Sequence, residues 1–199
     1  MLPEIEFKYS KIYESHLLKL INKEPISKLE KEIFLNIFEK LNSNKNEIIN
    51  NLKEITKILN VNWNRKTIRI YCLSFREHNT TFSDPLTISL CTKTCTPIEI
   101  EDIVDLITHE LIHNALDEMP ETKNALKKLK NDFPELAENS YSHILVYSVH
   151  YLIYEKMKKL NRQVLDKTKT FNKSDYFNAW VAVEKHGAKN ILLKYLFSE

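Results

Sequence analysis

Glycine is almost absent from this 199-residue chain, since Gly187 is the only one. The dinucleotide-binding fingerprint and the P-loop both need several glycines in a turn that lets the backbone approach a phosphate closely. Arginine is also scarce, and the formal net charge is only +2. Phosphate backbones and anionic membranes attract proteins with forked guanidinium donors or a marked excess of positive charge. The composition therefore excludes Gly-rich nucleotide folds and argues against a nucleic-acid or membrane partner.

Cysteine is sparse and odd in number, at Cys72, Cys91 and Cys95, so we expect no disulfide framework and a reducing compartment. No uninterrupted apolar run approaches the roughly 20 residues that a membrane-spanning helix needs. Residues 1–20 mix acids and bases and lack the apolar core of a signal peptide. We therefore expect a soluble, cytoplasmic protein.

The pattern of apolar residues predicts an α+β fold that is mostly α-helical. The length suits a single domain over residues 1–199. We divide it into N-terminal helices at 1–60, a small sheet with a long helix at 61–118, and a C-terminal helical bundle at 119–199. Gly187 is expected to end one helix of this bundle, because glycine tolerates the left-handed conformation common after a last helical turn.

The N-terminal third predicts two helices before any strand. Ser27 and Glu30 have the spacing of a capping box, which marks the start of the first of these helices. Two short segments at 67–73 and 86–90 alternate and are rich in β-branched residues, so they predict a small antiparallel or mixed sheet. The polar segment 161–173 predicts a loop or an edge hairpin.

The long helix carries the chemistry. It is predicted at 98–118, and it contains the pattern His-Glu-x-x-His from His109 to His113. Helical positions four apart differ by only about 40° in direction, so both imidazoles can bind one tetrahedral cation. Glu110 projects roughly 100° away from His109, which keeps it out of the ligand set but within reach of a metal-bound water. The pattern predicts a metal site with Glu110 as its base.

The segment Thr108–Asn114 resembles the zincin clan of metallopeptidases, in which a helix with this motif follows a small sheet. The resemblance implies zinc as the cofactor, His109 and His113 as ligands, Glu110 as the general base, and a peptide or protein as the substrate. The extended metzincin pattern, with a glycine and a third histidine soon after the motif, does not occur. The later segment Ser142–Tyr147 is similar to that of small uncharacterised proteins with the same motif.

A third protein ligand is required if one coordination position is to stay open for water. On the next long predicted helix, at 139–160, polar residues recur at helical spacing and form one stripe: His143, Tyr147, His150 and Tyr154. We predict that His143 is the third ligand. The competing interpretation is a hydrogen-bonded histidine of the core.

Other residues stay open as the third ligand. Glu138 would complete a set of two histidines and one carboxylate, and Cys91 or Cys95 would supply a thiolate from the loop that enters the metal helix. Asp105, one turn before His109, can orient that imidazole. For Asp105, however, the sequence favours a solvated acid in the first turns of the helix.

The sequence therefore predicts a zinc metallopeptidase in which His109, His113 and His143 hold the metal and Glu110 activates water. The segment 86–90 can pair with an extended substrate. One alternative is a catalytically silent interaction or regulatory module that keeps the motif. Another is a non-peptide amidase or deformylase-like hydrolase, which shares the mechanism and differs in its pocket. No feature of the sequence points to a particular oligomeric state.

Overall fold

The computed structural model describes residues 1–20, 27–74, 82–91, 98–159 and 175–198. The strands in these ranges are β1 (Glu4–Lys8), β2 (Thr67–Leu73), β3 (Phe82–Ser83) and β4 (Leu86–Ser89). The helices are α1 (Lys11–Leu20), α2 (Lys28–Ser43), α3 (Lys45–Leu59), α4 (Ile100–Asp117), α5 (Thr122–Asp132), α6 (Glu138–Lys156), α7 (Asp175–His186) and α8 (Ala188–Ile191), followed by a π-helix (Leu192–Leu196). The predicted α+β class, mostly helical with a small sheet, is confirmed.

The four strands form one mixed sheet in the order β1-β2-β4-β3. β1 and β4 each pair with β2 in parallel, whereas β3 pairs with β4 in antiparallel orientation. The prediction that two helices precede any strand is wrong, because β1 opens the chain. The register of β1 against β2 places Ile5 opposite Ile68, and both residues are buried. A five-residue strand whose partner lies some sixty positions later leaves only a weak local signal in the sequence.

The described residues form two compact units. One comprises Met1–Leu52 with Trp63–Leu111, and the other comprises Lys53–Asn62 with Ile112–Glu199. The division falls within α3 and within α4, each of which is one continuous helix. The expectation of a single domain over 1–199 stays a prediction. None of the described helices combines the length and the apolar character that crossing a bilayer would require.

In the first unit, a buried carboxylate ties α1 to the end of β2. Glu14 accepts hydrogen bonds from the Tyr9 hydroxyl at 2.9 Å, from the Ser74 backbone N–H at 2.7 Å and from the Ser74 hydroxyl at 2.6 Å. Burial, together with the neighbouring Glu14 carboxylate, raises the pKa of Tyr9 to about 12. The phenol therefore stays protonated and keeps donating at neutral pH.

In the second unit, α6 is the central helix and is buried over most of its length. α5, α7, α8 and the π-helix pack around it. Gly187 lies between α7 and α8 with a φ of 81°, as its predicted role at a helix end requires. The predicted loop at 161–173 lies outside the described residues.

Candidate metal centre

α4 is buried on nearly every side, although much of its sequence is polar. Four apolar residues of the helix are fully buried, at Ile103, Val104, Ile107 and Leu111, whereas Ile100 at its start is only partly buried. Five polar residues of the helix are buried too: Asp105, Thr108, His109, Glu110 and Asn114. Burying such groups costs free energy unless they are hydrogen-bonded or paired. The expectation that Asp105 is solvated is wrong, because only 8% of this residue is exposed.

The hydrogen bonds of Thr108 show how the free-energy cost of burying a polar group is offset. The Thr108 hydroxyl donates to the Val104 carbonyl at 2.7 Å and accepts from the Asn51 side-chain amide at 2.8 Å. A hydroxyl that both donates and accepts is fully satisfied inside the protein. Thr108 therefore fixes α4 against α3 one residue before the first motif histidine.

Three histidines come together on α4 and α6. The candidate ligand atoms of His109, His113 and His143 all lie within 4.8 Å of one another. An ion with Zn–N bonds of about 2.0–2.1 Å can bind all three after small side-chain adjustments. Among the described residues, this is the one group of three or more histidine, cysteine or acidic side chains arranged in this way. The three residues predicted from the sequence as metal ligands are therefore neighbours in the fold.

The hydrogen bonding of His143 fits a metal ligand. Its Nδ1 lies 2.7 Å from the backbone carbonyl of Asn139, one turn earlier on α6. A carbonyl can only accept, so Nδ1 carries the proton and Nε2 keeps its lone pair. Metal-binding histidines in proteins are held in this way, with one nitrogen on a carbonyl and the other on the ion. The imidazole of His143 packs edge to face with that of His113, at 5.0 Å between ring centroids.

The alternative third ligands lie elsewhere or outside the described residues. Glu138 is exposed at the start of α6 and forms an ion pair with Lys130 at 2.7 Å. Cys91 is buried just after β4 and is not part of the histidine group. Cys95 lies outside the described residues. Of the ligands considered from the sequence and described here, His143 is the one that joins His109 and His113.

The remaining polar residues of the α6 stripe pack rather than join the group. His150 is buried and stacks on Tyr154 at 4.6 Å between centroids. Tyr147 is fully buried, with its ring 5.7 Å from that of His143 and 5.4 Å from that of Trp180. Of the two histidines in this stripe, His143 belongs to the group with His109 and His113.

Electrostatics favour the metal-binding form of His113. Burial, and to a smaller extent the neighbouring His143, lowers the pKa of His113 to about 3. The imidazole is therefore neutral at pH 7, which is the state in which its nitrogen can bind a cation.

This shift predicts that the metal-free protein loses stability as the pH falls below about 6.5. In that range the unfolded chain protonates His113 while the folded chain does not, so protons favour unfolding until the folded pKa near 3 is reached. The slope from one such group is at most about 1.4 kcal/mol per pH unit. Urea titrations at pH 7.0, 6.0 and 5.0 with chelator present measure it. His113→Gln should flatten this dependence, and an equal slope in both proteins would contradict it.

Two features of the site are not apparent from the sequence. The backbone of Asn139 carries no sequence signal, because any residue at that position supplies a carbonyl. Tyr176, on the first turn of α7, places its ring 4.4 Å from that of His143. It follows His143 by 33 positions, and no helical spacing links two separate helices.

The fold limits where segment 86–90 could pair with a substrate, because β3 already pairs with its first two residues. β4 is an internal strand between β2 and β3, and Thr87 pairs with Tyr71 on one side and Phe82 on the other. A substrate backbone cannot add at Thr87 while both of its neighbours are in place. The edges of the described sheet are β1 and β3.

No family model, curated protein or solved structure matches this chain. The resemblance to the zincin clan rests on Thr108–Asn114 and stays a prediction. The structure adds an observation that needs no family: three imidazoles, two of them buried, converge from two helices, and the buried Glu110 follows His109 in sequence.

Proposed function

We propose that this chain is a zinc-dependent hydrolase of peptide bonds. The observation that carries the proposal is the convergence of three imidazoles, from His109, His113 and His143, to within 4.8 Å. Three protein ligands leave one tetrahedral position for water, as in catalytic zinc sites, whereas structural sites use four. The choice of the peptide bond follows from the resemblance of Thr108–Asn114 to the zincin clan.

The histidines and Glu110 would have different roles in the reaction. His109 and His113 would hold the metal from one helix and His143 from another. Bound zinc would bring the pKa of a coordinated water toward about 7 and polarise the scissile carbonyl. Glu110 would accept the proton of the attacking water on its carboxylate and deliver it to the leaving amine. Only 9% of the Glu110 surface is exposed, so its carboxylate acts in a partly dehydrated environment.

The first test measures the metal. Purified protein should contain about one zinc per chain by elemental analysis, and His113→Ala and His143→Ala should each lose most of it. Zinc in thousandfold excess over its dissociation constant adds about 4 kcal/mol to the stability. In a domain of this size that raises the melting temperature by about 10 °C. Calorimetry with and without zinc measures the shift.

His16→Ala is the matched control, because His16 is an exposed histidine on α1. It should keep both the zinc and the shift in melting temperature. A wild-type protein that holds no zinc and melts at the same temperature with or without added metal would contradict the proposal.

A further inference from the structure

The candidate ligand His143, on α6, packs against an aromatic side chain of α7. The ring of Tyr176 meets that of His143 at 90°, with 4.4 Å between centroids, the shortest of its ring contacts described here. Of the two side chains, His143 is buried, with 8% exposed, and Tyr176 is 37% exposed. Tyr176 therefore covers one side of the imidazole while its own outer surface faces solvent.

Contacts on both sides of Tyr176 fix its place. One residue earlier, the Asp175 carbonyl accepts a hydrogen bond from the buried Ser140 hydroxyl at 3.0 Å. One turn later, the Trp180 ring packs against Tyr147 at 5.4 Å and against Tyr151 at 6.3 Å. These contacts align the start of α7 along α6. Tyr176 is thus held against His143 by its neighbours, rather than by its own contact alone.

We infer that Tyr176 is a positioning residue that holds the His143 imidazole in the orientation a metal requires. The hydrogen bond from Nδ1 to Asn139 occupies one ring nitrogen and leaves Nε2 as the nitrogen that can bind a metal. This hydrogen bond holds only one edge of the imidazole, so by itself it allows the ring to rotate about that edge. The perpendicular Tyr176 ring blocks this motion, because aromatic edge-to-face contacts are close and directional.

The contact is made by the ring, so the ring rather than the hydroxyl is what the role requires. Preorganised ligands bind metal more tightly because less side-chain freedom is lost on binding. Residues that orient a metal ligand typically change the affinity 10- to 100-fold when they are removed. The inference rests on the proposed function in so far as His143 is a ligand, and it makes α7 a determinant of zinc affinity.

The experiment compares four proteins by competition with a zinc chelator. Tyr176→Ala should weaken zinc binding by about 10- to 100-fold. Tyr176→Phe keeps the ring and should bind zinc as the wild type does. Val181→Ala is the matched control, because Val181 is an exposed apolar residue on the same helix. If Tyr176→Ala does not fold, Tyr176→Leu replaces it, since leucine keeps apolar bulk but lacks a planar ring.

A second readout needs no metal. In the metal-free protein, carbon-13 relaxation of the His143 ring measures its mobility, which should rise in Tyr176→Ala and stay low in Tyr176→Phe. Unchanged ring mobility and zinc affinity in Tyr176→Ala would overturn the inference, as would a Tyr176→Phe protein as impaired as Tyr176→Ala. A failure of the proposed function gives a different result. If His143 is not a zinc ligand, His143→Ala should bind zinc as the wild type does. In that case the ring mobility of the metal-free protein still decides whether Tyr176 positions His143.

Discussion

Glu110→Gln should lower the rate of peptide hydrolysis by about 10²- to 10⁴-fold, the range that a positioned general base contributes. The amide has nearly the shape of the carboxylate, so packing around this buried position on α4 is preserved. It cannot accept the proton of the attacking water, however. The rate is measured with a mixed library of fluorogenic peptides at saturating zinc.

The zinc content separates this effect from loss of the metal. Glu110 is outside the proposed ligand set, so Glu110→Gln should keep one zinc per chain and its zinc-dependent melting shift. Glu101→Gln is the matched control, because Glu101 is an exposed acid on the first turn of the same helix. It should leave both the rate and the zinc content unchanged.

Other outcomes point to the other functions. If the wild type binds zinc and cleaves no peptide in the library, but hydrolyses small formyl or acyl amides in a Glu110-dependent way, the substrate class is wrong and the mechanism stands. If wild type and Glu110→Gln bind zinc equally and neither hydrolyses any amide, the enzyme hypothesis is wrong. The motif would then belong to a binding or regulatory module.

The features predicted correctly from the sequence are those set by neighbours along the chain. Ser27 and Glu30 form the predicted capping box at the start of α2, because its two hydrogen bonds join residues three apart. Gly187 adopts the expected positive φ for a similarly local reason. His109 and His113 share one helical face because the helix repeat alone places them there. His143 was selected by the same periodicity within α6.

The incorrect predictions concern contacts between distant parts of the chain. No local pattern indicates β1, because its pairing with β2 links positions more than sixty residues apart. An acid early in a helix is favourable in solvent, which predicts an exposed Asp105, yet only 8% of this residue is exposed. The cover over His143 by Tyr176 likewise depends on how two helices pack. Local pattern therefore identifies the candidate ligands, and tertiary packing brings them together.

Glu14→Ala should lower the free energy of unfolding by about 3–5 kcal/mol, because hydrogen bonds to a charged group contribute about 1.5–3 kcal/mol each and three are lost. Glu14 is only 3% exposed and accepts three hydrogen bonds, one from Tyr9 and two from Ser74. Removal of the carboxylate leaves the backbone N–H of Ser74 and two hydroxyls without their acceptor, and each such loss costs about 1–3 kcal/mol. Urea denaturation measures the change.

Two companion variants separate the network from the charge itself. Glu14→Gln keeps one oxygen that can accept from Ser74, so it should lose clearly less stability than Glu14→Ala. Glu32→Ala, at an exposed acid of α2, should change the stability by no more than about 0.5 kcal/mol. Equal stability in Glu14→Ala and Glu32→Ala would mean that this carboxylate does not join α1 to β2. The three bonds connect Tyr9 and Glu14 to Ser74, which directly follows the internal strand β2. A large loss of stability would therefore show that this early segment stabilises the first unit.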